Sequence, residues 1–250
     1  MTNSLKTDGL IIREQTVGES DRLVYVLTRN DGVIKAFARH AKNPKDNKAS
    51  STSLLCYSDL TLRQGKNYYY IDYAKPKDVF FGLRSDIESI SLAQYFCELA
   101  LDFVPEQTNS SEFLRLMLNS LYFLAKGTRP KKQIKAITEM RMLSLAGYMP
   151  NLIGCKECSE YEKDVMYFLP LESAIVCGDC YRGENPAIML NKTAIHAIRH
   201  ICYSEFEKIY SFAVPDEALK QVELACESYT VNTLGHTMKT LDFYKSTALT

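Results

Sequence analysis

The amino-acid sequence predicts an α+β protein in which a small β-barrel is followed by a helical region that carries a cysteine-rich insertion. Apolar and polar residues alternate along much of the first 75 residues, whereas apolar residues recur at helical spacing after residue 80. Two CxxC pairs interrupt the helical pattern. Of the 250 residues, 46% are hydrophobic and 24% are charged, so the chain can bury a core and extensive disorder is not expected.

The barrel is predicted from short strands joined by turns. Leu23, Tyr25 and Leu27 share one face of an alternating segment, and Gly32 supplies the tight turn that follows it. A polar loop is expected over 40–52. Five strands fit a closed barrel such as the OB-fold, and an SH3-like barrel would give a similar pattern. The strands are expected at 10–13, 22–28, 33–39, 54–64 and 68–73.

Helices are predicted on both sides of the cysteine-rich segment. We expect Ser110 and Ser111 to cap the second helix and Gly147 to end the third. The helices are expected at 87–104, 111–126, 133–147, 191–203 and from 216 to about 244. The resulting organisation is an OB-fold domain at 1–80, a first helical part at 81–149, a zinc-finger insertion at 150–186 and a second helical part at 187–250.

Cys155, Cys158, Cys177 and Cys180 have the spacing of a four-cysteine zinc site. Each CxxC turn aims two thiolates at one ion, and two such turns complete a tetrahedron. Four thiolates leave no open coordination position, so the sequence predicts one structural Zn²⁺. The other cysteines have no paired spacing and are expected to be buried small hydrophobes. They are Cys56, Cys97, Cys202 and Cys226.

The formal net charge of zero conceals a gradient along the chain. Residues 1–80 carry a net charge of +4, residues 81–141 carry +1, and residues 142–250 carry −5. The two ends of the chain would therefore attract different partners, and overall neutrality is weak evidence against nucleic-acid binding.

Basic residues and tyrosines of the predicted barrel form a candidate DNA-binding set. In a small barrel, basic side chains can follow phosphates while aromatic rings stack on bases. A solvated loop, with tyrosines that only pack the barrel, is the other interpretation. The candidates are Arg13, Arg22, Lys35, Arg39, His40, Lys42, Lys45, Lys48, Arg63, Lys66, Tyr68 and Tyr70.

A second basic cluster opens the third predicted helix and consists of Arg129, Lys131, Lys132 and Lys135. Cations gain nothing from the dipole at a helix N-terminus, so the cluster is a candidate contact for an acidic peptide. An ordinary solvated helix start is the alternative.

Catalytic and nucleotide-binding motifs are missing from the sequence. There is no GxxxxGK[ST] and no GxGxxG, and His196 and His200, spaced i and i+4, lack a clear third metal ligand. No secretory signal and no membrane-length apolar run is seen. We therefore expect a cytoplasmic protein with no enzymatic activity, no nucleotide cofactor and no membrane contact.

Several motifs in this order resemble the RecO family of bacterial DNA repair proteins over roughly residues 5 to 185. The N-terminal ones are KxxGLIIR at 6–13, GESDRL at 18–23 and TxxxGVIKAxAR at 28–39. The later ones are YFxEL at 95–99, GYxPxLxxCxxC at 147–158 and VCxxC at 176–180.

This resemblance implies an N-terminal OB domain and a helical body with an inserted zinc finger. It also implies a recombination mediator that binds single- and double-stranded DNA, anneals complementary strands and is associated with the nucleoid. Similar proteins act with RecR, sometimes with RecF, to load RecA onto DNA coated by single-strand-binding protein (SSB), and they contact the acidic C-terminal tail of SSB. The cluster from Arg129 to Lys135 is the candidate for that tail contact. The alternative, favoured by the acidic C-terminal third, is a zinc-ribbon adaptor that binds proteins and has only incidental DNA affinity.

Overall fold

The computed structural model describes residues 4–43, 48–183 and 185–248. The chain divides into two compact units, of which one is Met1–Lys126 with Lys239–Thr250 and the other is Gly127–Met238. The strands are β1 (Ser4–Val17), β2 (Asp21–Thr28), β3 (Val33–Ala38), β4 (Tyr57–Gln64), β5 (Tyr69–Asp78), β6 (Asn151–Cys155), β7 (Val165–Leu169), β8 (Ala174–Cys177) and β9 (Ile188–Asn191). The helices are α1 (Lys48–Ser51), α2 (Ile87–Phe103), α3 (Ser111–Lys126), α4 (Lys131–Leu145), α5 (Lys192–Tyr203), α6 (Asp216–Leu234) and α7 (Lys239–Ala248).

The first unit is built on a closed five-stranded barrel with the strand order β1-β2-β3-β5-β4. Strand β1 is long and pairs antiparallel with both β2 and β4, while β3 and β5 close the barrel through a short parallel pairing. This is a five-stranded barrel of the OB type. The predicted fold class, an N-terminal OB barrel with helices and a four-cysteine insertion, is confirmed.

The barrel interior is filled by alternating apolar side chains, but in β2 these belong to Val24 and Val26, and the face that carries Leu23 and Tyr25 is only half-buried. Ile11, Val24, Val26 and Leu62 are among the fully buried members of this core. The predicted strand over 54–64 begins only at Tyr57, because Leu55 has a φ of 65°, which belongs to the left-handed region and is incompatible with a continuing strand.

Helices α1, α2, α3 and α7 belong to the unit that contains the barrel. Helix α2 begins at the cap residue Asp86, whose carboxylate accepts hydrogen bonds from the backbone N–H groups of Glu88 and Ser89. Helix α2 packs against α7. Glu98 of α2 accepts a hydrogen bond from the backbone N–H of Thr240 in α7 at 3.2 Å.

The start of α3 differs from the expected serine cap. The Ser110 hydroxyl donates to the carbonyl oxygen of Thr108 at 2.9 Å, and Asn109 Oδ1 accepts from the backbone N–H of Ser111 at 3.1 Å. The side-chain acceptor at this helix start is therefore the asparagine before Ser110, whose amide oxygen accepts from the N–H group of Ser111.

The second unit combines a four-stranded sheet, in the order β6-β8-β7-β9, with helices α4, α5 and α6. As predicted, α4 stops at Gly147, which has a φ of 92°. The Gly147 N–H donates to the Ser144 carbonyl oxygen, and the Tyr148 N–H donates to the Leu143 carbonyl oxygen. These two bonds are the Schellman arrangement that commonly ends a helix at glycine.

The prediction of one continuous helix from 216 to about 244 is wrong, because the structure has two helices there. Helix α6 ends at Leu234 because Gly235 follows with a φ of 70°, and α7 then starts at Lys239. The break also separates the two compact units, since α6 belongs to one and α7 to the other. None of the helices in the described part of the chain combines the length and hydrophobicity that a bilayer crossing requires.

Candidate nucleic-acid interface and metal centre

A row of cations and one aromatic ring crosses the outside of β1, β2 and β3. The strand register places Arg13 opposite Tyr25 and Tyr25 opposite Lys35. Arg13 Cζ lies 5.3 Å and Lys35 Nζ lies 5.6 Å from the centre of the Tyr25 ring. Both distances are within the range of a cation–π contact, so one tyrosine holds two cations at the surface.

A second row crosses β3, β5 and β4. Phe37 pairs with Tyr70, and Tyr70 pairs with Arg63. The Phe37 and Tyr70 rings are stacked with centroids 6.0 Å apart, and the Tyr68 ring meets Phe37 edge-on at 5.1 Å. Arg39, in the turn after β3, and Arg63 each place Cζ 5.1 Å from the centre of the Tyr70 ring.

The two rows form one surface, because residues two apart on a strand point to the same side of a sheet and Lys35 and Phe37 are so spaced. We call this surface the cation–aromatic face. Its cations can neutralise phosphates and its exposed ring, Tyr68, can stack on a base, which is the combination that single-stranded nucleic-acid binding uses. The face consists of Arg13, Tyr25, Lys35, Phe37, Arg39, Arg63, Tyr68 and Tyr70.

Half of the twelve DNA-binding candidates lie on this face: Arg13, Lys35, Arg39, Arg63, Tyr68 and Tyr70. Lys66 is exposed in the turn between β4 and β5, directly before the segment that carries Tyr68. His40 and Lys42 are exposed beyond Arg39. Lys45 lies outside the described residues, and Lys48 is half-buried in α1.

Arg22 has a structural position rather than a surface one. Its side chain is only 16% exposed, and Nη1 lies 3.3 Å from the carboxylate of Glu14. The same nitrogen donates to the carbonyl oxygen of Ala49 and to the hydroxyls of Thr52 and Ser53. Arg22 therefore connects the segment after β3 to the barrel, and its Nη1 is already engaged.

The turn that carries the exposed loop cations is anchored to the turn between β1 and β2. The backbone N–H of His40 donates to Asp21 Oδ1 at 2.9 Å, and the N–H of Lys42 donates to the carbonyl oxygen of Ser20 at 3.1 Å. The hydrogen bond from His40 is the main reason that the pKa of Asp21 lies below its usual value. The anchoring leaves the side chains of His40 and Lys42 at the surface.

Tyr25 and Phe37 were not among the candidates from the sequence, although both belong to the face. Each alternates with buried residues, Val24 and Val26 around the tyrosine and Ala36 and Ala38 around the phenylalanine. That alternation was visible in the sequence, but it needed the strand register to show that both rings point outward beside the arginines.

The two CxxC pairs meet in the second unit. All four Sγ atoms lie within 4.8 Å of one another, and those of Cys158 and Cys177 are 3.7 Å apart. Tetrahedral coordination with Zn–S bonds of about 2.3 Å requires sulfur atoms about 3.8 Å apart, so this cluster has the dimensions of a four-thiolate metal site.

The backbone around Cys155 favours a thiolate at that cysteine, whereas hydrogen bonds with the neighbouring Cys177 and Cys158 thiols raise the pKa of Cys180 to about 12. Burial opposes ionisation of Cys155, but backbone N–H groups of Cys158, Cys177 and Glu157 outweigh it and bring the pKa of the Cys155 thiol down to about 6. A lowered pKa supplies the ionised sulfur that metal ligation requires. The predicted four-cysteine cluster is therefore present in the structure.

The other four cysteines are buried, as their unpaired spacing predicts. Burial raises the pKa of Cys97 and of Cys202 to about 12, which leaves both as neutral thiols. His196 and His200 do not share a site, since His196 Nε2 lies 2.6 Å from Glu162 Oε2 whereas His200 contacts Ser204 and the carbonyl of Lys208.

The basic cluster at the start of α4 requires one correction. Lys135 is completely buried, with Nζ 2.8 Å from carboxylate oxygens of both Glu139 and Glu227. Burial by itself lowers its pKa, but the two carboxylates outweigh burial and raise it above the usual value. Lys135 is therefore a core ion-pair residue, because the face of α4 that carries it packs on α6.

The remaining residues of the cluster are Arg129, Lys131 and Lys132. Arg129 and Lys131 are half-buried, and Lys132 is exposed. Lys132 Nζ lies 3.4 Å from the carboxylate of Glu223 on α6. The lysine of this pair is exposed and the glutamate half-buried, and an ion pair open to solvent on one side contributes little stability.

The comparisons with known proteins cover nearly the whole chain. The family model for the N-terminal domain of recombination protein O matches residues 1–80, and the model for its C-terminal domain matches residues 84–242. A DNA repair protein RecO of Acetivibrio thermocellus is 33% identical over 244 residues, which cover 98% of this chain and 97% of the relative. A DNA repair protein RecO of Dehalococcoides mccartyi strain 195 is 30% identical over 224 residues, which cover 89% of this chain and 88% of the relative. The RecO of Symbiobacterium thermophilum is 23% identical over 239 residues, covering 94% of each chain.

Proposed function

The chain belongs to the RecO family of DNA repair proteins, and from this premise we propose that it is a non-enzymatic mediator of homologous recombination. In this proposal it binds single- and double-stranded DNA, anneals complementary strands and helps to load RecA onto DNA coated by SSB. The observation that carries the proposal is the cation–aromatic face on the outside of the barrel.

The chemistry of the face suits sequence-independent binding of a single strand. Arg13 and Lys35 flank Tyr25, and Arg39 and Arg63 flank Tyr70. Phosphates occur at every nucleotide and every base has a π-face, so neither kind of contact reads sequence. A strand held through its backbone and base faces keeps its pairing edges free, which is the state that annealing to a complementary strand requires.

Zn²⁺ would be held by Cys155, Cys158, Cys177 and Cys180. It would cross-link the two CxxC turns and supply folding free energy to the insertion. Because four thiolates leave no position for water or substrate, the proposed role of one Zn²⁺ per chain is structural. Annealing makes and breaks no covalent bond, so the proposal needs neither a catalytic residue nor a nucleotide cofactor.

The proposed partners follow from the family. They are RecR, the acidic C-terminal tail of SSB and, through the loading reaction, RecA and RecF. For the SSB tail, the basic residues at the start of α4 that remain candidates are Arg129, Lys131 and Lys132, since Lys135 is buried. We expect the protein to act in the cytoplasm in association with the nucleoid.

The experiment that tests the proposal measures oligo-dT binding to the full chain by fluorescence anisotropy, together with annealing of two complementary labelled strands. Arg13→Ala/Lys35→Ala is the test variant, and Lys220→Ala/Lys239→Ala, which removes two exposed lysines from helices, is the matched control. We expect the test variant to weaken DNA binding on the order of tenfold at low salt and to slow annealing, and the control to do neither.

If the chain is a protein-binding adaptor, it should bind an acidic peptide and not DNA. If the wild-type chain binds a peptide ending in acidic and aromatic residues but shows no affinity for oligo-dT at about 50 mM salt, where phosphate contacts are strong, the DNA-binding proposal fails.

A further inference from the structure

Tyr70 lies at the centre of the cation–aromatic face, and its ring is enclosed by neighbours. The Cζ atoms of Arg39 and Arg63 are both 5.1 Å from the ring centre, and Phe37 stacks on the ring at 6.0 Å. The backbone of Gly65 runs along the ring edge so closely that a Cβ there would come within 2.7 Å of a ring carbon. Tyr70 is thus a packed ring between two guanidinium groups.

A ring enclosed in this way is poorly suited to stacking on a base. Base stacking requires an open π-face, and the π-face of Tyr70 already serves two guanidinium groups and Phe37. Tyr68 is different, because it is 39% exposed and meets Phe37 edge-on. The two tyrosines that the sequence grouped together therefore have different surroundings and different possible roles.

The two arginines come from different parts of the barrel. Arg39 lies in the turn after β3 and Arg63 on β4, and β5, which carries Tyr70, runs between those strands. Free arginine side chains lose considerable rotamer entropy when they are fixed on a ligand. Contact with one ring helps to order both side chains beforehand. Arg63 Nε also donates to Asp72 Oδ2 at 3.3 Å, and the terminal N–H groups of both guanidinium groups can still donate to phosphate oxygens.

We propose that Tyr70 is a positioning residue for DNA binding that holds Arg39 and Arg63 ready for two phosphates of one strand, while Tyr68 provides the surface on which a base stacks. This inference rests on the proposed function, since it presumes that the cation–aromatic face binds a single strand.

The test is a double-mutant cycle on the full chain, with oligo-dT affinity and its salt dependence as readouts. Tyr70→Leu is expected to weaken binding on the order of tenfold and to flatten the slope of log K against log salt by about 1.4, or about 0.7 for each lost phosphate contact. Arg39→Ala/Arg63→Ala is expected to give the same flattening. Adding Tyr70→Leu to that pair should then cost nothing further, because Tyr70 acts through the arginines.

Three further variants separate positioning from stacking. Tyr70→Phe, which keeps the ring, should restore most of the affinity and slope lost in Tyr70→Leu. Tyr68→Leu should lower affinity and leave the salt slope unchanged. Tyr73→Leu removes an exposed tyrosine from β5, the strand that carries Tyr70, and should change neither the affinity nor the salt slope. Additive losses in the cycle, with an unchanged slope in Tyr70→Leu, would overturn the inference.

A measurement on the unmodified protein keeps the inference testable if Tyr70→Leu does not fold. Photocrosslinking to an oligonucleotide that contains 5-iodouracil should map to Tyr68 and not to Tyr70, and a crosslink at Tyr70 would overturn the inference. Absence of any oligo-dT binding by the wild-type chain would instead refute the proposed function itself, so the two failures are distinguishable.

Discussion

Lys135 Nζ lies 2.8 Å from the carboxylate of Glu227, and this buried ion pair joins α4 to α6. Glu139, one turn further along α4, is equally close to the same ammonium group. Burying a charged side chain away from water costs free energy, and only the opposite charges beside it offset that cost.

Removing the lysine should therefore be strongly destabilising. We expect Lys135→Ala to lower the free energy of unfolding by about 3–5 kcal/mol, because two carboxylates lose their counter-charge in the interior. Urea unfolding followed by circular dichroism would measure it. Lys132→Ala, which removes an exposed lysine from the same helix, should change the free energy by less than about 1 kcal/mol. Equal effects of the two substitutions would contradict the assignment of Lys135 to the core.

Asp8 should make the stability of the barrel depend on pH. Hydrogen bonds from the Arg29 guanidinium, at 3.1 and 2.8 Å, are the largest reason that the pKa of Asp8 falls to about 2. A carboxyl whose pKa is lower in the folded state stabilises the protein fully above its unfolded value, near 3.8, and progressively less as pH falls towards 2.

The corresponding experiment compares wild type with Asp8→Asn by urea unfolding from pH 7 to pH 2. We expect wild type to be more stable by about 1–2 kcal/mol at neutral pH, after allowance for solvent screening, and the gap to close below pH 4. A gap that stays constant to pH 2 would mean that the ionised Asp8–Arg29 contact contributes no stability.

Arg22 and Arg13 should separate stability from DNA binding. Arg22 is fixed by the carbonyl oxygen of Ala49 and by neighbouring hydroxyls, so Arg22→Ala should cost about 1–2 kcal/mol of unfolding free energy and leave the salt slope of oligo-dT binding unchanged. Arg13→Ala should flatten that slope by about 0.7 and leave stability nearly unchanged. A flattened slope in folded Arg22→Ala protein would return Arg22 to the DNA-binding set.

Metal removal should destabilise the cysteine insertion. Purified protein is expected to contain one Zn²⁺ per chain by elemental analysis, and chelation or Cys177→Ser should lower the thermal unfolding midpoint. Cys226→Ser, which alters a buried cysteine outside the cluster, should leave the zinc content at one. Metal-free protein that unfolds at the same temperature as the loaded protein would refute a structural role for the ion.

Local sequence patterns predict most of the helices and strands, but they reveal little about which residues distant in the chain contact each other. The alternation around Val24 and the CxxC spacing are local signals, and both led to the correct elements. The burial of Lys135 depends on Glu227, a residue far along the chain whose approach no local pattern reveals. The break at Gly235 is different, because a glycine that can end a helix is a local signal in the sequence itself.

The DNA-binding set shows the same limit. Composition selected the basic residues around Arg39, but only strand register shows that Tyr25 and Phe37 join them on one surface. The side-chain contacts remove Arg22 from the set, because its guanidinium donates a hydrogen bond to the carbonyl oxygen of Ala49. A candidate set drawn from charge alone therefore mixes surface cations with structural ones.

The salt dependence of oligo-dT binding, measured for wild type and for Arg13→Ala/Lys35→Ala, tests the central claim most directly. If the cation–aromatic face binds the backbone of a single strand, the wild-type affinity falls steeply with salt and the slope of the variant is flatter by about 1.4. Identical slopes in the two folded proteins would show that Arg13 and Lys35 contact no phosphate, and the assignment of DNA binding to this face would then be wrong.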